Sequence, residues 1–166
     1  MKALIARLER AVELMGVASA MLLVPLVLAT TWEVVARYVF GAPTIWAYEV
    51  GYFLTGSHFL LGLSYTLKHG EHIRIDIFTT KMSPALRQRI DLVMYGLITI
   101  VMAWLTYALL NYLLHGIAAN EHTGQSALNL PVWPFRLVFV IAFATFTVQL
   151  VLEFLKTLMK HQREGA

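Results

Sequence analysis

Cysteine is absent from this sequence of 166 residues, and charged residues are scarce, at 14% of the chain. Without cysteine there is no disulfide framework, no thiolate metal site and no cysteine nucleophile. The sequence also lacks a HExxH metal motif, a glycine-rich nucleotide loop and a serine–histidine–acid arrangement on a soluble face. These absences exclude the most familiar signatures of an enzyme. We therefore predict that the chain is not an enzyme and binds no cofactor or metal of its own.

Apolar residues are abundant instead, since they make up 58% of the chain and gather in long runs. A helix needs about twenty such residues to cross a hydrocarbon layer of roughly 30 Å. Four stretches satisfy this, so we predict an all-α membrane protein with four transmembrane helices in one domain, residues 1–166. The spans are placed at about 14–36, 48–68, 90–115 and 131–155. A cleaved signal peptide is the alternative at the N-terminus, but the apolar stretch is too long and lacks a cleavage site.

The positions of lysine and arginine predict the orientation of the four spans. All thirteen basic residues except Arg37 and Arg136 lie in the N-terminal segment, the link between spans two and three, or the C-terminal tail. Cytoplasmic segments of membrane proteins carry the excess of these residues. We therefore expect both termini and the central link to lie in the cytoplasm.

Two further segments have the pattern of amphipathic helices that lie along a membrane surface, at about 1–13 and 71–82. In the first, apolar side chains recur on one helical face, as at Ile5, Leu8 and Val12. In the second, Ile73 and Ile77 fit either an alternating strand or a helical stripe. A lone strand at the membrane surface would leave its backbone unpaired, so we favour a helix. Ser83-Pro84 then predicts the N-cap and the first position of the helix that becomes span three.

Acidic and basic residues cluster where the first span ends and the second begins. Glu33 and Arg37 are four residues apart, which predicts an intrahelical ion pair. Glu49 opens the second span, where the helix dipole favours an acid. Glu49 could equally bind Arg37 across the hairpin or contact a partner protein, and the sequence leaves these interpretations open.

Histidines within the spans allow a second functional interpretation, the membrane anchor of a haem-containing redox complex. His58 lies in the middle of span two, roughly 12 Å below the outer surface, whereas His115 lies near the outer end of span three. This mismatch in depth argues against a pair of haem ligands, and we expect His58 to be hydrogen-bonded to another helix. His69 and His72 have too few neighbouring ligands for a metal site.

The spans also lack the features of a self-sufficient transporter. No charged residue occupies the centre of any span, and there is no pair of interrupted helices in corresponding halves. Gly51, Gly56 and Gly62 make span two a candidate contact helix, within the chain or with a partner. These patterns favour a supporting subunit, with a small self-assembling channel or exporter as the other alternative.

Three motifs of the sequence are recognisable together. The first is Ala36-Arg37-Tyr38-Val39-Phe40-Gly41 followed by Pro43, Trp46 and Glu49. The second, in the central link, runs from Lys68 to Asp76 and includes Glu71, His72, Arg74 and Asp76. The third is Gln125-Ser126-Ala127-Leu128, then Pro131 and Trp133. In this order the motifs resemble those of the small membrane subunit of tripartite ATP-independent periplasmic (TRAP) transporters, the DctQ-like family, and the match covers nearly the whole chain.

The resemblance implies a function for the protein and a location in the bacterial inner membrane. In such transporters a periplasmic protein binds an organic acid, a large membrane subunit carries it inward with sodium, and the small subunit scaffolds the large one. The expected partners are therefore the large subunit, the binding protein and the lipid bilayer, with no nucleic acid, and sodium is expected on the large subunit. By resemblance, the structural or partner-contact residues are Arg37, Trp46, Glu49, Glu71, His72, Arg74, Asp76, Gln125, Ser126 and Pro131.

Overall fold

The computed structural model describes residues 2–70, 82–125 and 127–164. These residues form five helices and no strand beyond one isolated bridge: α1 (Lys2–Met21), α2 (Leu23–Tyr38), α3 (Ala47–Lys68), α4 (Pro84–Ala118) and α5 (Trp133–Glu164). The all-α prediction is confirmed for this part of the chain. Four predicted contact residues of the central link, Glu71, His72, Arg74 and Asp76, lie outside the described residues, and so does Ser126.

Three helical stretches in the described residues are long and apolar enough to cross a membrane. They are Ile5–Tyr38, Leu86–Ala118 and Trp133–Met159. The predicted second span forms α3, whose 22 residues have the required length. However, α3 is less apolar than the three stretches named above and is not a fourth stretch of that kind. Glu49, His58 and its glycines and serines lower its mean hydropathy.

The first stretch combines α1 and α2, which are separated only at Leu22. Pro25 has no N–H group to donate to the carbonyl of Met21, so one hydrogen bond of the helical ladder is missing there. On either side the ladder continues, from Leu22 N to Ala18 O at 3.1 Å and from Leu26 N to Leu22 O at 3.2 Å. Helix α1 is also continuous across residue 13, so no turn marks the predicted boundary between a surface helix and the first span.

The centre of the bundle is formed by α3 and α5. Helix α3 packs against α1, α2 and α5, whereas α4 packs mainly against α5 and forms an outer layer. Leu67 of α3 forms the buried apolar core with Phe146 and Leu150 of α5, and Ile98 and Met102 of α4 pack against it.

Glycines of α3 allow its neighbours to approach closely, each on a different side. A Cβ atom at Gly56 would lie 2.7 Å from Cζ of Phe135 in α5. One at Gly62 would lie 3.3 Å from the hydroxyl oxygen of Ser19 in α1, and Gly51 faces α2. Small residues permit such approach in membrane helices. The prediction of a contact helix is therefore confirmed, and these contacts are within the chain.

The ends of α4 are capped by residues that the sequence marks clearly. Ser83 is the N-cap, with its hydroxyl accepting from Leu86 N at 3.4 Å, and Pro84 follows, as the Ser-Pro pair predicts. At the other end Asn120 adopts a φ of 50°, its N–H donates to Ile117 O, and Glu121 N donates to Gly116 O. This left-handed cap turns the chain back toward the bundle.

Candidate functional site

The connection between α4 and α5, residues 119–132, is a short folded hairpin that we call the α4–α5 loop. Thr123 N donates to Leu130 O at 2.9 Å, and Val132 N donates to Glu121 O at 3.1 Å. A bridge joins His122 to Pro131. The described part of the loop on either side of residue 126 therefore has a defined backbone, and it presents polar groups to the ends of the helices beneath it.

Glu49, in the first turn of α3, is the deepest polar residue at this end of the bundle, with 1% of its surface exposed. One carboxylate oxygen accepts from the Thr123 hydroxyl at 3.1 Å, and the other accepts from Leu130 N at 3.5 Å. The buried carboxylate thus joins the start of α3 to both sides of the α4–α5 loop. Of the interpretations left open by the sequence, the contact with Arg37 is not the one formed.

Arg37 pairs instead with Glu33, as the four-residue spacing predicts. Its Nε donates to Glu33 Oε1 at 2.8 Å, and Nη2 completes the ion pair. The second oxygen of Glu33 accepts from the backbone N–H of Thr44 at 2.8 Å and from the Thr44 hydroxyl. Gly41 turns the chain with a φ of +62°. The first family-like motif therefore closes the connection between α2 and α3.

Arg136 is the second buried charged residue at this end. From the sequence it was notable only as one of the two basic residues outside the segments predicted to be cytoplasmic. It is 8% exposed, at the start of α5. Its Nη2 donates to Glu121 and to the Tyr112 hydroxyl, the latter at 2.8 Å, and its Nη1 donates to Tyr112 O at 3.3 Å. The guanidinium carbon lies 3.6 Å from the Tyr112 ring centroid, as in a cation–π contact.

Helix α4 packs tightly against Arg136. Gly116 of α4 lies against the guanidinium, and a Cβ atom there would collide with it. Because α4, α5 and the loop all contribute to this cluster, one side chain fixes three elements. The only sequence signal was a lone arginine in the first turn of a helix that has no other charged residue before Glu153.

A cavity of about 330 Å³ lies beside Arg136, lined by aromatic rings and by polar groups of the α4–α5 loop. Gln125 and Glu121 contribute the polar part, and Phe53 and Phe135 stack with ring centroids 4.8 Å apart. Trp46 occupies the N-cap position of α3 and is 39% exposed. The described members of the first and third motifs, Arg37, Trp46, Glu49, Gln125 and Pro131, therefore belong to this end of the bundle, which we call the loop end.

The opposite end of the bundle, which we call the terminal end, carries ion pairs between the start of α1 and the ends of α3 and α5. Glu13 pairs with Lys68 at 2.7 Å and with His69 at 3.0 Å. Glu9 pairs with Lys156 at 2.7 Å, and Lys156 also contacts Glu153. His69 is exposed, and it contacts α1 through Glu13.

His58 is hydrogen-bonded to α1, as expected for a histidine within a helix bundle. Its Nδ1 lies 2.8 Å from Ser19 O, and the Ser19 hydroxyl donates to His58 O at 2.8 Å. In the described residues no group of three or more His, Cys, Asp or Glu is arranged to hold a metal ion. At both ends of the bundle, the described charged and polar side chains therefore join helices to one another or to the α4–α5 loop.

Comparison with known proteins gives the family. The family model of the tripartite ATP-independent periplasmic transporters, DctQ component, matches residues 26–160, which include most of the chain and all three motifs. No curated protein matches the chain. The chain belongs to the DctQ component family of tripartite ATP-independent periplasmic transporters.

Proposed function

We propose that this small TRAP subunit scaffolds the large membrane subunit during sodium-coupled uptake of an organic acid that a periplasmic binding protein delivers. The observation that supports it best is how the buried charges are used. Glu49 and Arg136 bind the chain's own loop and helix ends, and no described charged side chain lies in the middle of a span. Such groups stabilise a rigid support, whereas a transport path needs polar groups at the midplane.

We further propose that α3 crosses the membrane as a fourth span. Its 22 residues extend about 33 Å, which matches the hydrocarbon layer. Two polar side chains near its middle and inner part are hydrogen-bonded to neighbouring helices: His58 to Ser19 of α1, and Ser64 to Thr145 of α5 at 3.2 Å. These two groups are therefore satisfied within the bundle and not by lipid, which makes the low mean hydropathy of α3 tolerable.

In this arrangement both termini lie in the cytoplasm and the loop end faces the periplasm. The excess of lysine and arginine on the terminal side supports the orientation. The loop end then contributes to the face that meets the binding protein, and sodium binds to the large subunit. In bacteria the complex is located in the inner membrane.

Reconstitution tests the proposed function. The large subunit and the binding protein are placed in liposomes with or without this chain, with a sodium gradient and a labelled carboxylate that the binding protein retains. We expect uptake only when all three proteins are present, and the large subunit to co-purify with this chain. Transport by this chain alone, or a haem spectrum in the purified protein, would contradict the proposal.

A further inference from the structure

Helix α4 has two opposite faces, of which only one is covered. On the covered face Ile98 and Met102 pack against the core, and the Thr106 hydroxyl lies 3.3 Å from that of Thr147 in α5. On the other side, large side chains recur at alternating spacings of four and three residues along eight turns. We call this the outward face of α4, and it consists of Leu86, Ile90, Val93, Leu97, Ile100, Trp104, Tyr107, Asn111 and Leu114.

The outward face is well exposed and includes groups that form hydrogen bonds. Ile100 is 73% exposed, Trp104 69% and Tyr107 64%. Among the described residues, the indole N–H of Trp104, the hydroxyl of Tyr107 and the amide of Asn111 have no hydrogen-bond partner. The three residues are separated by three and four positions, so their side chains follow one another along the same face.

These three polar groups lie at a depth where contact with lipid chains is unfavourable. Trp104 lies at the centre of the uncharged section of α4, and Asn111 lies about 10 Å from it along the helix axis. Tryptophan in membrane proteins is enriched at the water interfaces and not at the midplane. Unpaired polar groups in hydrocarbon are costly and tend to bind another helix.

The exposed surface of α1 and α2 provides the contrast within the same molecule. From Leu14 to Leu28 its exposed large side chains are all aliphatic or Met: Leu14, Val17, Met21, Leu23, Val24, Val27 and Leu28. The one hydroxyl in this stretch, on Ser19, is buried and bonded to His58. This surface suits lipid chains, whereas the outward face of α4 has unsatisfied donors and acceptors at a similar depth.

We propose that the outward face of α4 is the docking surface for a transmembrane helix of the large subunit. The alternating spacing averages 3.5 residues, which is the periodicity of two helices packed at a shallow angle. The partner helix offers polar side chains or backbone carbonyls to Trp104, Tyr107 and Asn111, and apolar side chains elsewhere. The inference rests on the proposed function, because it requires the large subunit as partner.

Photo-crosslinking tests the surface directly, with a matched control in the same chain. A benzoylphenylalanine residue replaces Ile100 or Trp104 on the outward face, or Val24 or Leu28 on the aliphatic surface, in membranes that contain the large subunit. The two pairs have the same spacing and similar exposure. We expect crosslinks to the large subunit from Ile100 and Trp104, and to lipid alone from Val24 and Leu28.

Two results would overturn the inference in different ways. If the large subunit co-purifies but all four positions react only with lipid or with a second copy of this chain, the docking surface is wrong and the proposed function stands. If the large subunit does not co-purify at all, the proposed function fails and the inference fails with it.

Substitution of Asn111 tests the chemistry of the contact. Loss of one interhelical hydrogen bond in Asn111→Leu should weaken the complex roughly threefold to twentyfold, and Asn111→Gln, which keeps the amide, should recover most of this. The isolated subunit should unfold at an unchanged temperature, because Asn111 has no hydrogen-bond partner among its described residues. An unchanged affinity in Asn111→Leu, or equal destabilisation of the isolated subunit, would overturn the proposed contact.

Discussion

The two ends of the bundle both carry charged side chains that join helices, but the most buried of these charges lie at the loop end. There, Glu49 is 1% exposed and Arg136 is 8% exposed, although the side chain of Glu121, the partner of Arg136, is 43% exposed. At the terminal end, the side chains of Glu13 and Lys156 are 39% and 38% exposed. Exposed pairs contribute little to stability, whereas loss of the hydrogen bonds of a buried polar group is costly. The loop end should therefore hold the helices in place, and the terminal end should tolerate change.

Arg136→Ala should have the largest effect of any single substitution. It removes the ion pair with Glu121, the hydrogen bonds to Tyr112 and the contact with the Tyr112 ring, all made by a buried guanidinium. The Glu121 carboxylate that remains is 43% exposed and can be hydrated, so the loss is that of the charged hydrogen bonds and the cation–π contact. We expect the free energy of unfolding in detergent to fall by about 2 to 4 kcal/mol. Thermal unfolding followed by circular dichroism measures this.

Arg136→Lys is the control for the geometry of the guanidinium. Lysine keeps the charge but loses the planar fork that reaches Glu121 and Tyr112 together, so it should give an intermediate loss. If Arg136→Ala unfolds at the temperature of the unmodified protein, the buried cluster does not stabilise the loop end.

Glu49→Ala should have the next largest effect. The substitution leaves the Thr123 hydroxyl and Leu130 N–H without their buried acceptor, at a cost of about 1 to 3 kcal/mol. Transport or assembly of the complex should weaken with it, because the α4–α5 loop loses its attachment to α3. Glu33→Ala, which releases the more exposed connection between α2 and α3, is the matched comparison and should cost less. Normal uptake and normal co-purification of Glu49→Ala would contradict this prediction.

The sequence identified both partners of the local contacts, but for contacts between distant residues it could not identify the partner. Glu33–Arg37 and the Ser83-Pro84 cap follow from spacings of a few residues, because helical geometry alone brings such groups together. Glu49 and Thr123 are 74 positions apart, so their contact depends on how α3 and the α4–α5 loop pack. For the same reason the sequence could not identify the partners of Arg136.

The apolar patterns show the same limit. They predicted long helices at the four positions where α2, α3, α4 and α5 form, including α3 at the position of the second predicted span. The small and polar residues of α3 are explained only by the helices that pack against it. Gly56 lies against the ring of Phe135, and His58 is hydrogen-bonded to Ser19. A hydropathy pattern does not contain that information, because it scores each helix as if it were alone in lipid.

The interior between the two ends should respond to added volume at some positions and not at others. Gly56→Ala would place a Cβ atom 2.7 Å from Phe135 Cζ, so the ring must move. After allowance for the better helix propensity of alanine, we expect a net cost of about 1 kcal/mol. The double variant with Phe135→Leu should regain part of that loss, since the two residues are in contact.

Gly51→Ala is the matched control for Gly56→Ala, because both glycines lie in α3. A Cβ atom at Gly51 would be 3.9 Å from the nearest neighbour, Thr30 Cγ2, which is an ordinary contact. The control should be neutral or slightly stabilising. Equal destabilisation by both substitutions would mean that the close approach of Phe135 is not the cause.

The smallest effect is expected at the terminal end. Lys156→Gln removes the pairs with Glu9 and Glu153, yet the side chain is 38% exposed and the acids can be hydrated in its absence. We expect a loss of about 0 to 1 kcal/mol. Salt should reduce even this difference, because it screens exposed charges, whereas it should change the effect of Arg136→Ala much less. Thermal unfolding of both variants at low and high ionic strength measures the two responses together. If Lys156→Gln destabilises the protein as strongly as Arg136→Ala, exposure is not what distinguishes the ends, and the terminal end must also fix the bundle.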